Sequence, residues 1–327
     1  MAKEYHSKDF EWEELRKQIE NDPSLSYHLQ QPIDYSEPSQ SQQDSSAAWN
    51  TFHTTHSTAK FFKERRYLFK EFPDLSSSSV FLEVGCGNGS TALPILRTLE
   101  TATVYACDCS IQALDSSIHN IRRASNRKPP LESRFHPFHC DFSTNAFPPW
   151  LACNYCKQTS LTPQHHIPDV CCNAPTDLNS FLKDGKCCIG GVDVVTLIFT
   201  LSAVPFNKMP AAISECFSVL KPGGLLLFRD YGLYDMTMLR FEPDQKMGYR
   251  EYKRSEGTRS YFFSLDSARN LFKGAGFIEC PDSLLVALIS CLLSQLELDY
   301  CCIKSVNRRN GKAMRRVWVH GKFQKPV

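Results

Sequence analysis

The segment Leu82-Glu83-Val84-Gly85-Cys86-Gly87-Asn88-Gly89 constrains this chain more than any other. An apolar run, Val80 to Val84, stops in glycines at alternate positions, and helix-forming sequence follows from about Ser90. Glycine is needed where a backbone turns sharply and must approach a ligand with no Cβ in the way. A strand that enters such a turn and leaves as a helix is a unit of an α/β sheet. Its ligand is expected at the carboxyl ends of the strands.

The same alternation continues along the chain. Thr103 to Ala106 is a second apolar run ending at Asp108, and Arg134 to Cys140 a third ending at Asp141. Val192 to Thr200 is a fourth, apolar enough for a strand buried on both faces. Leu225 to Phe228 is a fifth, ending at Arg229 and Asp230. Between the last two, Met209, Ala212, Ile213, Cys216, Phe217 and Leu220 share one helical face, and Lys221-Pro222-Gly223-Gly224 stops the helix. Strands alternating with helices predict a Rossmann-like α/β fold, a mostly parallel seven-stranded sheet with helices on both faces. Tyr300 to Val306 and Arg316 to Phe323 flank the turn Asn307 to Gly311 and predict an antiparallel hairpin closing the sheet.

The glycine turn alone is a weak signal, because dinucleotide dehydrogenases carry one too. Asp108 sits where a carboxylate accepts from a ribose diol, which fits both NAD and S-adenosylmethionine (SAM). Three features favour SAM. Glu83 precedes the glycines, where an acid faces the methionine ammonium or orients the loop. Gly85, Gly87 and Gly89 follow GxGxG rather than GxGxxG. Asp141 ends the third strand, placed for the adenine amino group, with Phe142 beside it to pack on the ring. The plain alternative is that these are polar strand ends.

Several strings resemble the methyltransferase-like enzymes that make 3-methylcytidine in the anticodon loop of tRNA. They are Asp193-Val-Val-Thr-Leu-Ile-Phe-Thr-Leu-Ser-Ala-Val204, Val219-Leu-Lys-Pro-Gly-Gly224, Leu227-Phe-Arg-Asp-Tyr-Gly-Leu-Tyr-Asp235 and Gly257-Thr-Arg-Ser-Tyr-Phe-Phe263. Ala59-Lys-Phe-Phe-Lys-Glu-Arg65, Tyr105-Ala-Cys-Asp-Cys-Ser110 and Met238-Leu-Arg-Phe241 belong with them. The similarity covers roughly residues 47 to 145, 191 to 280 and 297 to 323. It implies a class I SAM-dependent methyltransferase acting on cytosine N3. It also implies SAM contacts at Trp49, Gly85, Asp108, Asp141, Phe142 and Ile198, with His53 where the family has a tyrosine. The tRNA-facing positions it implies are Phe61, Phe62, Lys63, Arg65, Arg229, Asp230, Tyr231 and Arg259. tRNA is the implied partner, and some family members also need a seryl-tRNA synthetase. The chain departs from the family in two insertions, a Cys-rich one at 146–190 and an apolar one at 281–295.

Cytosine N3 is an in-plane lone pair, and its methylation leaves a cation spread over N3 and N4. A carboxylate near N4 stabilises that charge as it develops. Asp230, at the end of the fifth strand, is the candidate catalytic residue. Its alternative role is to pair with Arg229 or Arg259 and shape the loop. N3 lies on the pairing edge, so the base must be exposed or flipped. Tyr231, Tyr234 and Phe61 are candidates to stack on it. From Lys304 to the end there are eight Lys or Arg and no acid. Arg308, Arg309, Arg315 and Arg316 lie around the predicted hairpin and are candidate phosphate contacts.

The remaining expectations concern organisation. Residues 1 to 46 carry ten acidic and four basic side chains and predict a flexible tail, with a short acidic helix over 10–20. Residues 47–75 predict a helical arm, with Phe61, Phe62, Leu68, Phe69 and Phe72 at helical spacing over 58–72. Residues 76–327 form the catalytic domain. The chain has 15 cysteines and no export signal at its start, so reduced thiols in the cytoplasm, or the nucleus, are expected. The longest apolar run, Leu284 to Leu293, is too short to span a bilayer. No metal is assigned; Cys153, Cys156, Cys171 and Cys172 are the zinc alternative, in irregular spacing. Three rivals share these features: another substrate on the same fold, a non-catalytic SAM-binding scaffold, and a dehydrogenase.

Overall fold

A computed structural model describes residues 9–30, 45–55, 63–125, 129–153, 187–278, 298–306, 311 and 313–327. Strands β1 (Val80–Val84), β2 (Thr103–Asp108), β3 (Phe135–His139), β4 (Val192–Ile198) and β5 (Leu220–Tyr231) run parallel. Three short strands, β6 (Lys246–Gly248), β7 (Glu251–Lys253) and β8 (Arg259–Tyr261), make a small antiparallel sheet after β5. The hairpin β9 (Leu298–Val306) and β10 (Ala313–Gln324) then joins the main sheet beside β5. The order of the seven strands is β3-β2-β1-β4-β5-β10-β9. The order reverses direction between β1 and β4, which opens a crevice above their carboxyl ends.

Alternation along each strand sends side chains to the two faces. Phe81, Val104, Val194 and Leu227 pack with helices α5 (Ala92–Thr98) and α6 (Ile111–Ala124). Leu82, Val195, Leu226 and Phe228 pack on the other face with α7 (Met209–Val219) and α8 (Leu265–Gly274). Each such side chain contributes about 1.5–3 kcal/mol when fully buried. The parallel strands are thus buried on both faces, and their sequences read as continuous apolar runs. The helix expected to reach Leu220 and stop in a Lys221-Gly224 turn ends at Val219 instead; β5 begins at Leu220, runs through Lys221–Gly224, and pairs Leu220 with Val192 across an irregular register.

The N-terminal segment differs from expectation. Residues 9–30 are docked, not a tail. Helix α1 (Trp12–Glu20) buries Leu15 and Ile19, and a second short helix, α2 (Ser26–Leu29), buries His28. Trp12 stacks on Tyr300 with centroids 4.7 Å apart and donates from Nε1 to the Leu233 carbonyl at 3.1 Å. Asp9 N donates to the Cys302 carbonyl at 2.8 Å, and Tyr27 Oη to the Phe241 carbonyl at 2.6 Å. Trp12, Leu15 and Ile19 form one helical stripe that an acidic average conceals.

The helix expected over 58–72 also differs. Among the described residues of that span only α4 (Leu68–Glu71) is helical, while a separate helix, α3 (Ser45–Thr55), precedes it. Residues 63–65 run without helical turns, and Arg65 N donates to the Ser90 carbonyl at 3.0 Å. Pro73 starts a 3₁₀ turn directly after Phe72. The ends of the Cys-rich insertion are tied to the core. Trp150 is buried, Ile189 N donates to its carbonyl at 2.9 Å, and Gly191 N donates to the Leu151 carbonyl at 2.8 Å. The apolar run at 281–295 lies outside the described residues. No helix among the described residues is long and apolar enough to cross a membrane.

Candidate active site

A cleft of about 450 Å³ opens above the carboxyl ends of β1, β2 and β4. That is the size of a small-cofactor pocket, whose usual range is roughly 300–1,000 Å³. Trp49, His53, Gly85, Gly87, Asp108, Asp141, Phe142 and Ile198 all line it. Residues as far apart in the chain as Trp49 and Ile198 are brought together because strand ends converge at the crevice.

The floor is the glycine loop. Gly85 has φ +66, and a Cβ there would lie 2.3 Å from Thr200 Cγ2. Only glycine fits both the angle and the contact. Thr200 Oγ1 donates to the Val84 carbonyl at 3.0 Å, fixing the end of β1 against the end of β4. Gly87 is open toward the cleft, the nearest atom to its Cβ position being His53 Cε1 at 3.9 Å. His53 and Trp49, both on α3, cover the loop with rings 6.1 Å apart.

Two carboxylates enter the cleft. Asp108 Oδ2 accepts from Gly87 N at 2.9 Å, and Oδ1 from Ser110 N at 2.9 Å. Each oxygen keeps a lone pair for another donor. Burial raises the Asp108 pKa against the pull of those two N–H groups. Asp141 Oδ1 accepts from Ser143 N at 3.0 Å and from Ser143 Oγ at 2.6 Å. Phe142 beside it is buried and lies parallel to Phe147. An open glycine cradle, two spaced carboxylates and a flat aromatic suit the ribose, adenine and amino-acid parts of SAM.

Glu83 does not line this cleft. Its Oε2 accepts from Ala92 N at 2.9 Å, at the start of α5, and Arg65 Nη1 lies 3.8 Å from Oε1. Burial pushes its pKa up to about 7. Of its two expected roles, the geometry is that of the loop-orienting one.

Asp230 also lies outside the cleft lining. It is fully buried, Oδ2 accepting from Ser202 N at 2.9 Å and Oδ1 from Tyr231 N at 2.8 Å. Burial raises its pKa to about 6. Its oxygens serve the backbone donors of the turn after β4, so the carboxylate shapes the cleft wall and pairs with neither Arg229 nor Arg259. Tyr231, the next residue, does line the cleft.

The expected RNA-facing residues separate into groups. Arg229 is 1% exposed and ion-paired to Glu71, so it cannot meet a phosphate. Its guanidinium lies over Trp318 at 4.4 Å and Tyr67 at 4.8 Å. Burial pushes Glu71 up, but His320 and Arg229 outweigh it and hold the carboxyl below its usual range. The sequence hides this because Arg229 faces β10, whose register puts it opposite His320. Arg65 lines the cleft and donates to Thr91 Oγ1 and to the Ile198 carbonyl. Arg259 pairs with Glu251 at 3.0 Å on the small sheet. Lys63 is exposed. Arg315 donates to Gln18 Oε1 at 2.7 Å, and Arg316 pairs with Asp235 at 2.8 Å. Tyr234 is buried and donates to Glu20 Oε1 at 3.1 Å, so it is no stacking platform. Phe61, Phe62, Arg308 and Arg309 lie outside the described residues.

Sequence reasoning missed several groups. Phe199 and Thr200 line the cleft just past β4. Arg254 lies 5.8 Å from the Tyr231 ring centroid and Arg316 6.0 Å, so two guanidiniums lie near one cleft aromatic. The Lys253-Arg254 pair before Gly257 was the available signal. Of the zinc alternative, only Cys153 is described; Cys156, Cys171 and Cys172 are outside, and the thiols beside Cys153 are Cys187 and Cys188.

Comparison with known proteins bears on this geometry. The methyltransferase-domain family matches residues 54–278. The human protein named tRNA N(3)-cytidine methyltransferase METTL6 is 33% identical over 294 residues, covering 87% of this chain and 82% of its own. Mettl2 of Drosophila melanogaster, a tRNA N(3)-methylcytidine methyltransferase by name, is 31% identical over 298 residues, covering 88% and 73%. METTL2 of Danio rerio is 31% identical over 316 residues, covering 85% and 72%.

Proposed function

The chain belongs to the methyltransferase-domain family, among the tRNA N(3)-cytidine methyltransferases, and from that premise we propose that it methylates cytosine N3 in the anticodon loop of tRNA. The observation that carries the reading is Tyr231. It lines the cleft that holds the carboxylates, and the guanidiniums of Arg254 and Arg316 lie within 6.0 Å of its ring centroid. An aromatic ring at the cleft with guanidiniums near it suits a base and its neighbouring phosphate, with Arg254 the nearer of the two cations.

SAM, when bound, supplies a sulfonium methyl open to attack by a lone pair. Asp108 would accept from its ribose hydroxyls, Asp141 would take the adenine amino group and Phe142 would pack on the ring, as their places in the cleft lining allow. Trp49 and His53 cover the glycine loop and exclude water. Tyr231 stacks on the extruded cytosine and aims its N3 lone pair, so that positioning supplies much of the rate. Asp230 is a positioning residue that holds Ser202 and Tyr231 in the wall. A seryl-tRNA synthetase joins this scheme as a partner that delivers the tRNA. A cytoplasmic site of action goes with it, since tRNA and reduced thiols occur together there.

The test is methyl transfer from labelled SAM to total tRNA from cells lacking 3-methylcytidine, followed by nucleoside mass analysis. New 3-methylcytidine is expected, with seryl-tRNA synthetase added in a parallel reaction. Methyl groups on another nucleoside, or none in either reaction despite SAM binding, would overturn the reading.

A further inference from the structure

Three thiols meet where the Cys-rich insertion leaves and rejoins the fold. Cys153, Cys187 and Cys188 have sulfurs that all lie within 4.8 Å of one another. Cys153 and Cys187 are 3.6 Å apart, and Cys187 and Cys188 3.9 Å. Gly190 N donates to Cys188 Sγ at 3.3 Å. Cys187 and Cys188 are buried.

We propose that these three thiolates bind a zinc ion that clips the two ends of the insertion to the sheet. Zn–S bonds of about 2.3 Å at tetrahedral angles set neighbouring sulfurs about 3.8 Å apart. The observed 3.6 and 3.9 Å bracket that spacing. Soft thiolates select zinc over the hard cations. The backbone N–H on Cys188 suits a thiolate better than a thiol, because a charged acceptor strengthens the bond. The fourth tetrahedral position takes a donor from outside this cluster. Each thiol gives up its proton on binding.

The ion has no part in methyl transfer. The cluster lies at the start of β4 (Val192–Ile198), and Ile198 at the far end lines the cleft. At about 3.3 Å per residue that strand separates them by roughly 20 Å. The role is mechanical. Cys153 and Cys187 bound 33 intervening residues, and tying their ends keeps Trp150 packed under β3. Trp150 follows Asp141 and Phe142 by fewer than ten residues, so the clip also steadies the adenine end of the cleft.

The test uses the full chain, expressed with zinc and purified in reductant without chelator. Elemental analysis should find about one zinc per chain. Cys187→Ser/Cys188→Ser should lose most of it, at least about five-fold. Cobalt exchanged into the wild-type chain should give sulfur-to-cobalt charge-transfer bands, a readout that survives if the variant fails to fold. Folded wild-type protein without zinc, zinc retained by a folded double variant, or cobalt protein lacking those bands would each overturn the proposal. A Cys153–Cys187 disulfide in a parallel sample isolated without reductant and with free thiols alkylated at lysis would do the same. None of these readings involves tRNA or SAM turnover, so failure here is distinct from failure of the proposed function.

Discussion

The Asp108 carboxylate accepts a hydrogen bond from Gly87 N at 2.9 Å, so the end of β2 holds the glycine loop that leaves β1. One side chain therefore shapes the loop and presents an acceptor to the cleft. Asp108→Asn keeps the volume but turns one acceptor into a donor facing Gly87 N or Ser110 N. SAM affinity should fall about 10–100-fold, or about 1.4–3 kcal/mol, while the thermal midpoint drops only a few degrees. Titration calorimetry and thermal melting check both.

Glu83 predicts a pH dependence with a definite sign. Its folded pKa is pushed up to about 7 by burial, above its ordinary value of 4.5. The folded protein therefore binds the extra proton. The stability this provides is fully present below about 4.5 and is lost as pH rises through about 7. Glu83→Gln keeps the acceptor for Ala92 N and removes the titration. Urea unfolding at intervals between pH 4.5 and 7.5 should show wild type losing on the order of 2–3 kcal/mol more than the variant across the range.

Arg229 divides the sequence expectation from the structure. A residue facing RNA would change the salt dependence of binding when removed. A buried partner of Glu71 would change stability. Arg229→Leu should destabilise the fold by about 3–5 kcal/mol, because it leaves a buried carboxylate short of a partner. In whatever folded protein remains, the salt slope of tRNA binding should be unchanged.

How much was legible follows from the same contrast. The parallel strands could be read because strands buried on both faces are continuous apolar runs, as in β4. The glycine loop, Asp108 and Asp141 could be read because strand-end chemistry is local. The roles of Arg229 and Asp230 could not. Glu71 lies 158 residues before Arg229, and Ser202 lies 28 before Asp230, so neither partner shows in the strand's own sequence. Docking of α1 is hidden in the sequence because three apolar residues spaced among five charges average to a polar segment. Trp12 finds Tyr300 only after the β9–β10 hairpin has closed the sheet.

Arg254 should behave as Arg229 does not. It is half-buried, donates from Nε to Ser260 Oγ at 2.8 Å and lies over the cleft-lining Tyr231. Arg254→Ala should weaken tRNA binding and reduce its salt slope by about one, with SAM affinity unchanged. Filter binding across a salt series measures this.

The central claim is that one cleft holds the methyl donor and a single extruded cytosine. It is tested most directly with two transcripts of one tRNA, differing only in a cytidine or a uridine at the anticodon-loop target, each incubated with labelled SAM and the seryl-tRNA synthetase. The account predicts 3-methylcytidine in the first transcript alone, and its loss with Asp108→Ala. Equal labelling of both transcripts, or labelling that survives Asp108→Ala, would contradict it.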